Sequence, residues 1–478
     1  GIFCTAQTNR VIYTLSLHDA LPISSPFLVE VQESAVKPIE PVFLDYQKDM
    51  SQLKAKSDIP VLYKQNVAND LFQLIYVFDM GNNHDKALGT AFDYLEYLGT
   101  SDMTPEELKS EFYRLACTFY VSPGNERTYV VLSGLNENMP AAVQLFEKLL
   151  ADAQVNKEAY TNMTSDILKA RSDAKLNQGQ NFSRLMSFAM YGPKSPATNL
   201  LTEVELTNMN PQELVDRIHN QNSYKHRILY YGPSSSKDLL ATINQYHQVP
   251  ATLKDIPAGN EYAYLETPVT KVLVAPYDAK QIYMAQISNL DKKYDPAIEP
   301  IRALYDEYFG GGMNSIVFQE MRETRGLAYS AWASIMPPSY LKYPYVLRTQ
   351  IATQNDKMID AVTTFNDIIN NMPESEAAFK LAKDGLTNRL RTERIIKGDI
   401  IWSYINAQDL GQNVDPRIKL YNDIQNMSLK DIVDFQKQWV KGRTYVYCIL
   451  GDKKDLELDK LKAVGPIEEL TQEQIFGY

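Results

Sequence analysis

The residues best placed to do chemistry lie between Phe309 and Tyr329, in the run Phe-Gly-Gly-Gly-Met-Asn-Ser-Ile-Val-Phe-Gln-Glu-Met-Arg-Glu-Thr-Arg-Gly-Leu-Ala-Tyr. Arg322 offers a planar fork of N–H donors and Tyr329 a phenol hydroxyl, a pair suited to a carbonyl oxygen or a developing oxyanion. Gly310, Gly311 and Gly312 lack a Cβ, so their backbone can bend freely and let another chain come close. They read as a positioned loop. After them Met313, Ile316, Val317 and Met321 follow helical spacing with one apolar face. Gly326 is placed to stop that helix in a left-handed conformation. Arg322 then lies in the last turn and Tyr329 just beyond it, so both can project from one end. Residue types alone favour a plainer reading, a surface arginine and a core tyrosine at a helix-to-strand join.

The elements around this stretch repeat. Strands are expected over 61–67 and 71–80, a pair feeding one sheet, followed by a helix over 85–98. Thr104-Pro105-Glu106-Glu107 opens the next helix with an N-cap threonine, proline at the first helical position and glutamate at the third. Ser122-Pro123-Gly124-Asn125 turns a hairpin. Helices over 139–152, 156–176 and 211–221 and a strand over 226–231 complete the unit. Strands at 270–275 and 281–288 and a helix at 297–309 start the same order again. The glycine loop, strands at 328–335 and 344–352, helices over 355–371, 374–396 and 428–440 and a strand at 444–450 finish it.

Residues repeat along with pattern: Ile228-Leu-Tyr-Tyr-Gly232 matches Tyr447-Cys-Ile-Leu-Gly451, and Leu95-Glu-Tyr-Leu-Gly99 matches Asp306-Glu-Tyr-Phe-Gly310, at offsets of 211 to 219. The chain is therefore expected to be α+β, with two tandem homologous domains, each a mixed sheet packed with helices, over 59–248 and 262–478. Residues 249–261 read as a linker, as does the Pro-punctuated stretch 25–58. Residues 1–24 read as an artefact, because Leu15–Ser24 resembles a translated sequencing adapter.

A chain of 478 residues with 44% hydrophobic and 22% charged content can bury a large core. Its formal charge of −11 and lack of a basic run argue against a nucleic-acid partner. No apolar stretch is long enough to span a membrane, and periplasm and cytoplasm both fit a soluble chain. Cys4, Cys117 and Cys448 have neither disulfide nor metal-ligand spacing.

With the duplication, the Gly310–Tyr329 stretch resembles the C-terminal signature of the pitrilysin/insulinase-type zinc metallopeptidases, the inverzincins. The resemblance covers about residues 61 to 478 and implies a bacterial chain equivalent to the family's non-zinc half. It implies that Arg322 and Tyr329 bind substrate backbone and stabilise the tetrahedral intermediate at a zinc held by another domain, and that Gly310, Gly311 and Gly312 form a substrate-binding loop beside them. The catalytic H-x-x-E-H motif is absent. Its place in the first domain reads Asp93-Tyr-Leu-Glu96-Tyr97, and the third ligand's place falls near Asp166. Tyrosine does not replace a neutral imidazole, and an aspartate with a glutamate holds Zn²⁺ poorly. No metal is expected in this chain, and by itself it is expected to be inactive. Zinc is expected in an H-x-x-E-H half, upstream or in a partner subunit, with an extended peptide as substrate. A zinc-free scaffold of the same fold is the alternative.

Overall fold

The computed structural model describes residues 39–478 together with 25–27, 30 and 37. The stretch 1–24, read above as an artefact, lies outside the described residues, as does most of 25–38. Contacts group Val42–Tyr478 into one compact unit, separate from residues 1–41, and everything below concerns the former.

Two six-stranded sheets carry the chain. In the first, β1 (Ser51–Lys54), β2 (Pro60–Gln65), β3 (Leu71–Phe78), β4 (Cys117–Pro123), β5 (Thr128–Leu135) and β6 (Arg227–Gly232) lie in the order β1-β2-β6-β3-β5-β4. In the second, β7 (Lys271–Pro276), β8 (Gln281–Lys293), β9 (Ser330–Met336), β10 (Pro344–Gln354), β11 (Val446–Gly451) and β12 (Ile467–Glu469) lie in the order β12-β7-β11-β8-β10-β9. Beyond β1 and β12, the five remaining strands of each sheet match one for one, β2-β6-β3-β5-β4 with β7-β11-β8-β10-β9. Each sheet holds an equivalent parallel pair, β2 with β6 and β7 with β11, joined by a long crossover connection, and the second sheet adds another, β12 with β7. So β2 and β3, expected as a pair, are separated by β6. The sheet also starts earlier than expected: β1 pairs with β2 inside the stretch read as linker.

The helices that matter for function are α1 (Leu88–Leu95), α2 (Pro105–Arg114), α3 (Met139–Asp152), α4 (Gln178–Tyr191), α5 (Glu299–Phe309) and α6 (Asp399–Asp409). The capping box read from the sequence forms at α2, with Glu107 N–H donating to Thr104 Oγ1 at 3.2 Å and Thr104 N–H to Glu107 Oε2 at 2.8 Å. One face of each sheet is covered by helices of its own repeat, α1 and α3 for the first and α5 for the second.

The opposite faces are covered by exchange. Phe182, Leu185, Met186 and Ala189 of α4, from the first repeat, pack on Leu273, Ala285, Ile287 and Cys448 of the second sheet. Reciprocally, Ile400, Ile401, Tyr404 and Ile405 of α6 pack on Leu62, Ile75, Val77 and Leu229 of the first. Burying a side chain of this size stabilises by about 1.5–3 kcal/mol. Neither half can leave without exposing both faces, which is why Val42–Tyr478 behaves as one unit.

Candidate functional site

The glycine loop caps the second sheet. At Gly310 an added Cβ would lie 2.2 Å from Ala333 O, and at Gly311 one would lie 2.8 Å from Asp306 O. Both glycines are thus required by close approach, Gly310 to strand β9 and Gly311 to the end of α5, whereas Gly312 has open space. Loop and helix also use up the free edge of β9. Ala333 N–H donates to Gly310 O at 3.4 Å and Ile335 N–H to Asp306 Oδ1 at 2.9 Å. Arg302 then holds Asp306 Oδ2 at 2.8 Å and Ile335 O at 3.1 Å. On β4, the equivalent edge of the first sheet, Phe119 and Val121 point their N–H and C=O groups outward by the antiparallel alternation. Among the described residues these groups have no partner.

After the loop, Ser315 caps a short helical turn, Ile316–Phe318, which widens into a π-helix over Gln319–Thr324. Val317 and Met321 are fully buried and Ile316 nearly so, as their spacing suggests. Met313 departs from the expected face: it lies before the helix and is 74% exposed. Gly326 ends the element with φ 58°, as expected, and the closing bonds run from Gly326 N–H to Arg322 O and from Leu327 N–H to Met321 O. The chain that follows is pinned by Lys357 Nζ on Gly326 O at 3.0 Å and Thr353 Oγ1 on Leu327 O at 2.6 Å. π-helical turns recur at functional sites because they re-aim side chains within a helix.

Arg322 and Tyr329 come together at this end. The guanidinium carbon of Arg322 is 5.7 Å from the Tyr329 ring centre and 5.1 Å from that of Phe318, so the cation stands between two aromatic faces. Its only ion pair among the described residues is a loose one with Glu323, 3.6 Å from Arg322 Nε to Oε1. Arg322 is 45% exposed and Tyr329 74% exposed. A guanidinium aligned by rings but held by no tight carboxylate keeps its donors free for an incoming carbonyl. Phe318 was not singled out above. An aromatic four residues before an arginine on a helix was the signal available.

The positions implied for zinc do not fit it. Asp93, Glu96 and Tyr97 are exposed around the end of α1, Asp166 is exposed on the helix Lys157–Lys175, and no histidine joins them. Among the described residues no group of three His, Cys, Asp or Glu side chains could hold a metal ion.

Where carboxylate and imidazole do meet, in the first repeat, both are buried. Glu147 Oε1 lies 2.6 Å from His247 Nδ1, His247 Nε2 lies 2.9 Å from His226 Nε2, and His226 Nδ1 lies 2.7 Å from Tyr224 O. Every imidazole nitrogen in this row is engaged, so none is free to ligate. Each of the three contacts needs a hydrogen. Burial and the neighbouring His247 pull the His226 pKa down to about 3.

Comparison with known proteins bears on the fold. The family model described as "Peptidase M16 inactive domain" matches residues 228–386. The Helicobacter pylori protein named non-peptidase homolog YmxG is 24% identical over 426 residues, 84% of this chain and 93% of that protein. The crystal structure of a peptidase M16 inactive domain from Pseudomonas fluorescens superposes with a TM-score of 0.66 at 15% identity, over 84% of this chain and 98% of that one. The periplasmic protease PqqL from Escherichia coli superposes with a TM-score of 0.67 at 13% identity, over 88% of this chain but 48% of its own. The two solved structures share the fold, and the two-sheet unit makes up nearly all of one and about half of the other. Residues 228–386 thus match the inactive domain of the pitrilysin/insulinase-type, or M16, peptidases, and the chain shares the fold of such a domain.

Proposed function

We propose that this chain is the substrate-binding, non-catalytic half of a pitrilysin-like zinc endopeptidase, working with an H-x-x-E-H domain that supplies metal, water and base. The observation that carries the reading is the placement of Arg322 between Phe318 and Tyr329 at an exposed π-helix end, with no tight anion partner. Arg322 donates N–H groups to the scissile carbonyl as its oxygen gains charge, and the Tyr329 hydroxyl donates beside it. Gly312 and the exposed part of the loop line the approach of the peptide. A strand-adding peptide is accommodated at β4 rather than at β9, whose outward amides at Ala333 and Ile335 are already bonded.

The test is reconstitution with an H-x-x-E-H half and a fluorogenic peptide. Arg322→Ala should lower kcat by roughly 10²-fold, the size of a lost oxyanion donor. Unchanged turnover would remove the assignment.

A scaffold without peptidase function is favoured by one specific finding: the relative matched along 93% of its length is named a non-peptidase homolog. In that case the exchanged helices carry the function, as rigid supports for assembly. Peptide binding by the purified chain separates the two, because a scaffold predicts none that depends on Arg322.

A further inference from the structure

Several arginines that fold into this protein are matched with two carboxylates each. Arg127 holds Asp79 and Asp409, Arg302 holds Glu299 and Asp306, and Arg417 holds Asp415 and Glu393. Arg348, partly buried on β10, has no carboxylate partner among the described residues. Its Nη2 donates to Gln350 Oε1 at 3.0 Å, its guanidinium carbon lies 5.1 Å from the Trp332 ring centre, and its Nε has no hydrogen-bond partner. No described carboxylate pairs with it, and burial pulls its pKa below the ordinary arginine range. Burying part of a charge without a counter-charge is costly, so such a group points to an anion that arrives from outside.

The repeat explains why this place is open. Leu229 and Cys448 are equivalent, and counting along the ladders from them makes Tyr129 on β5 the counterpart of Arg348 on β10. Tyr129 is covered by Trp402 of the exchanged helix α6, ring centres 5.6 Å apart. The other exchanged helix, α4, packs over β7, β11 and β8. Arg348 therefore lies on a sheet face without that aromatic cover, and it stacks on Trp332 of its own sheet.

We propose that Arg348, aligned by Trp332 and flanked by the Gln350 amide, is a binding site for the carboxylate of an acidic side chain on an extended polypeptide. The guanidinium fork takes one or both carboxylate oxygens, and Gln350 Nε2, which has no partner among the described residues, donates alongside. The anion site stands on the geometry of Arg348 alone. That its ligand is a polypeptide rests on the proposed function.

The experiment uses a fluorescein-labelled, otherwise uncharged peptide with one glutamate, and its glutamine counterpart, read by anisotropy at physiological ionic strength. The glutamate peptide should bind about tenfold tighter, the worth of one charge-assisted pair. Arg348→Gln should abolish the difference and Arg348→Lys restore only part of it. Because Arg348 has no carboxylate to lose, and its Gln350 bond and Trp332 contact are offset by relief of a partly buried unpaired charge, Arg348→Gln should melt at the same temperature as the parent or higher. A preference that survives in Arg348→Gln, or a melting temperature several degrees lower, overturns the site. Inorganic phosphate that binds through Arg348 while the two peptides bind alike overturns the polypeptide assignment. Arg348-dependent selectivity alongside an inert Arg322→Ala would count against the earlier reading only.

Discussion

The guanidinium of Arg127 and the carboxylate of Asp409 meet in two parallel bonds of 2.6 Å each, across 282 residues of sequence. Arg127 sits in the β4–β5 turn and Asp409 at the end of α6, so the pair locks the exchanged helix to the sheet it covers. Both side chains are largely buried, at 10% and 16% exposure. Beside them, the β4–β5 turn meets the loop between β9 and β10: Glu126 accepts from Lys342 Nζ at 2.9 Å and Tyr343 OH at 2.8 Å. Equivalent loops of the two repeats thus face each other. Asp409→Ala should cost about 3 kcal/mol, because Arg127 is left buried with only the more exposed Asp79. Urea unfolding followed by fluorescence and by circular dichroism should give coincident transitions in parent and variant. Two separated transitions in the parent would mean that the repeats unfold independently and the exchange does not bind them.

The three glycines divide on packing grounds. A methyl at Gly310 would fall 2.2 Å from Ala333 O and one at Gly312 would touch little. Gly310→Ala should therefore destabilise by about 2–3 kcal/mol, as overpacking does, and open the β9 edge. Gly312→Ala should stay within about 0.5 kcal/mol. Thermal melts of the two variants decide it, and equal effects would show that the loop does not press on β9 as described.

Much of this was readable in the residues. The Thr104–Glu107 capping box, the hairpin at Ser122–Asn125 and the repeat at Ile228–Gly232 and Tyr447–Gly451 each follow from local chemistry. What escaped were helices α4 and α6, whose apolar residues are interrupted by Ser183, Ser187, Ser403 and Asn406 and whose partners lie on the other repeat's sheet. Periodicity says that a face is apolar but never which sheet it covers. Likewise Gly310 announced a tight place without revealing that the place is an edge to be closed. The resemblance singled out Arg322 and Tyr329 as a candidate pair, whereas Phe318 and the lack of a carboxylate beside Arg348 emerge only when side chains are placed in space.

Phe318 should act on turnover through Arg322. A cation over an aromatic ring at an exposed site contributes about 0.5–1 kcal/mol. In the reconstituted peptidase, Phe318→Leu should lower kcat a few-fold and leave KM nearly unchanged, well short of the Arg322→Ala loss. Made in the Arg322→Ala background, the same change should have no further effect. An equal additional loss there would show that Phe318 supports the fold and not the arginine.

The row Glu147–His247–His226 sets a pH dependence of stability. In the unfolded chain histidine titrates near 6.5, whereas in the fold burial and His247 hold His226 at about 3. The groups facing it are His247 at 2.9 Å, with Glu147 behind, and the rings of Phe78 and Tyr76, so no carboxylate touches it directly. With the folded pKa depressed, the neutral imidazole stabilises the fold fully above pH 6.5. That contribution drains away as pH falls toward 3, because the unfolded state binds a proton the folded state refuses. The slope reaches about 1.4 kcal/mol per pH unit for this one group. Urea midpoints measured from neutral pH down to about pH 4 should fall in the parent. They should fall less steeply in His226→Gln, whose amide oxygen can still accept from His247. Parallel slopes for the two proteins would place the acid sensitivity elsewhere in the chain.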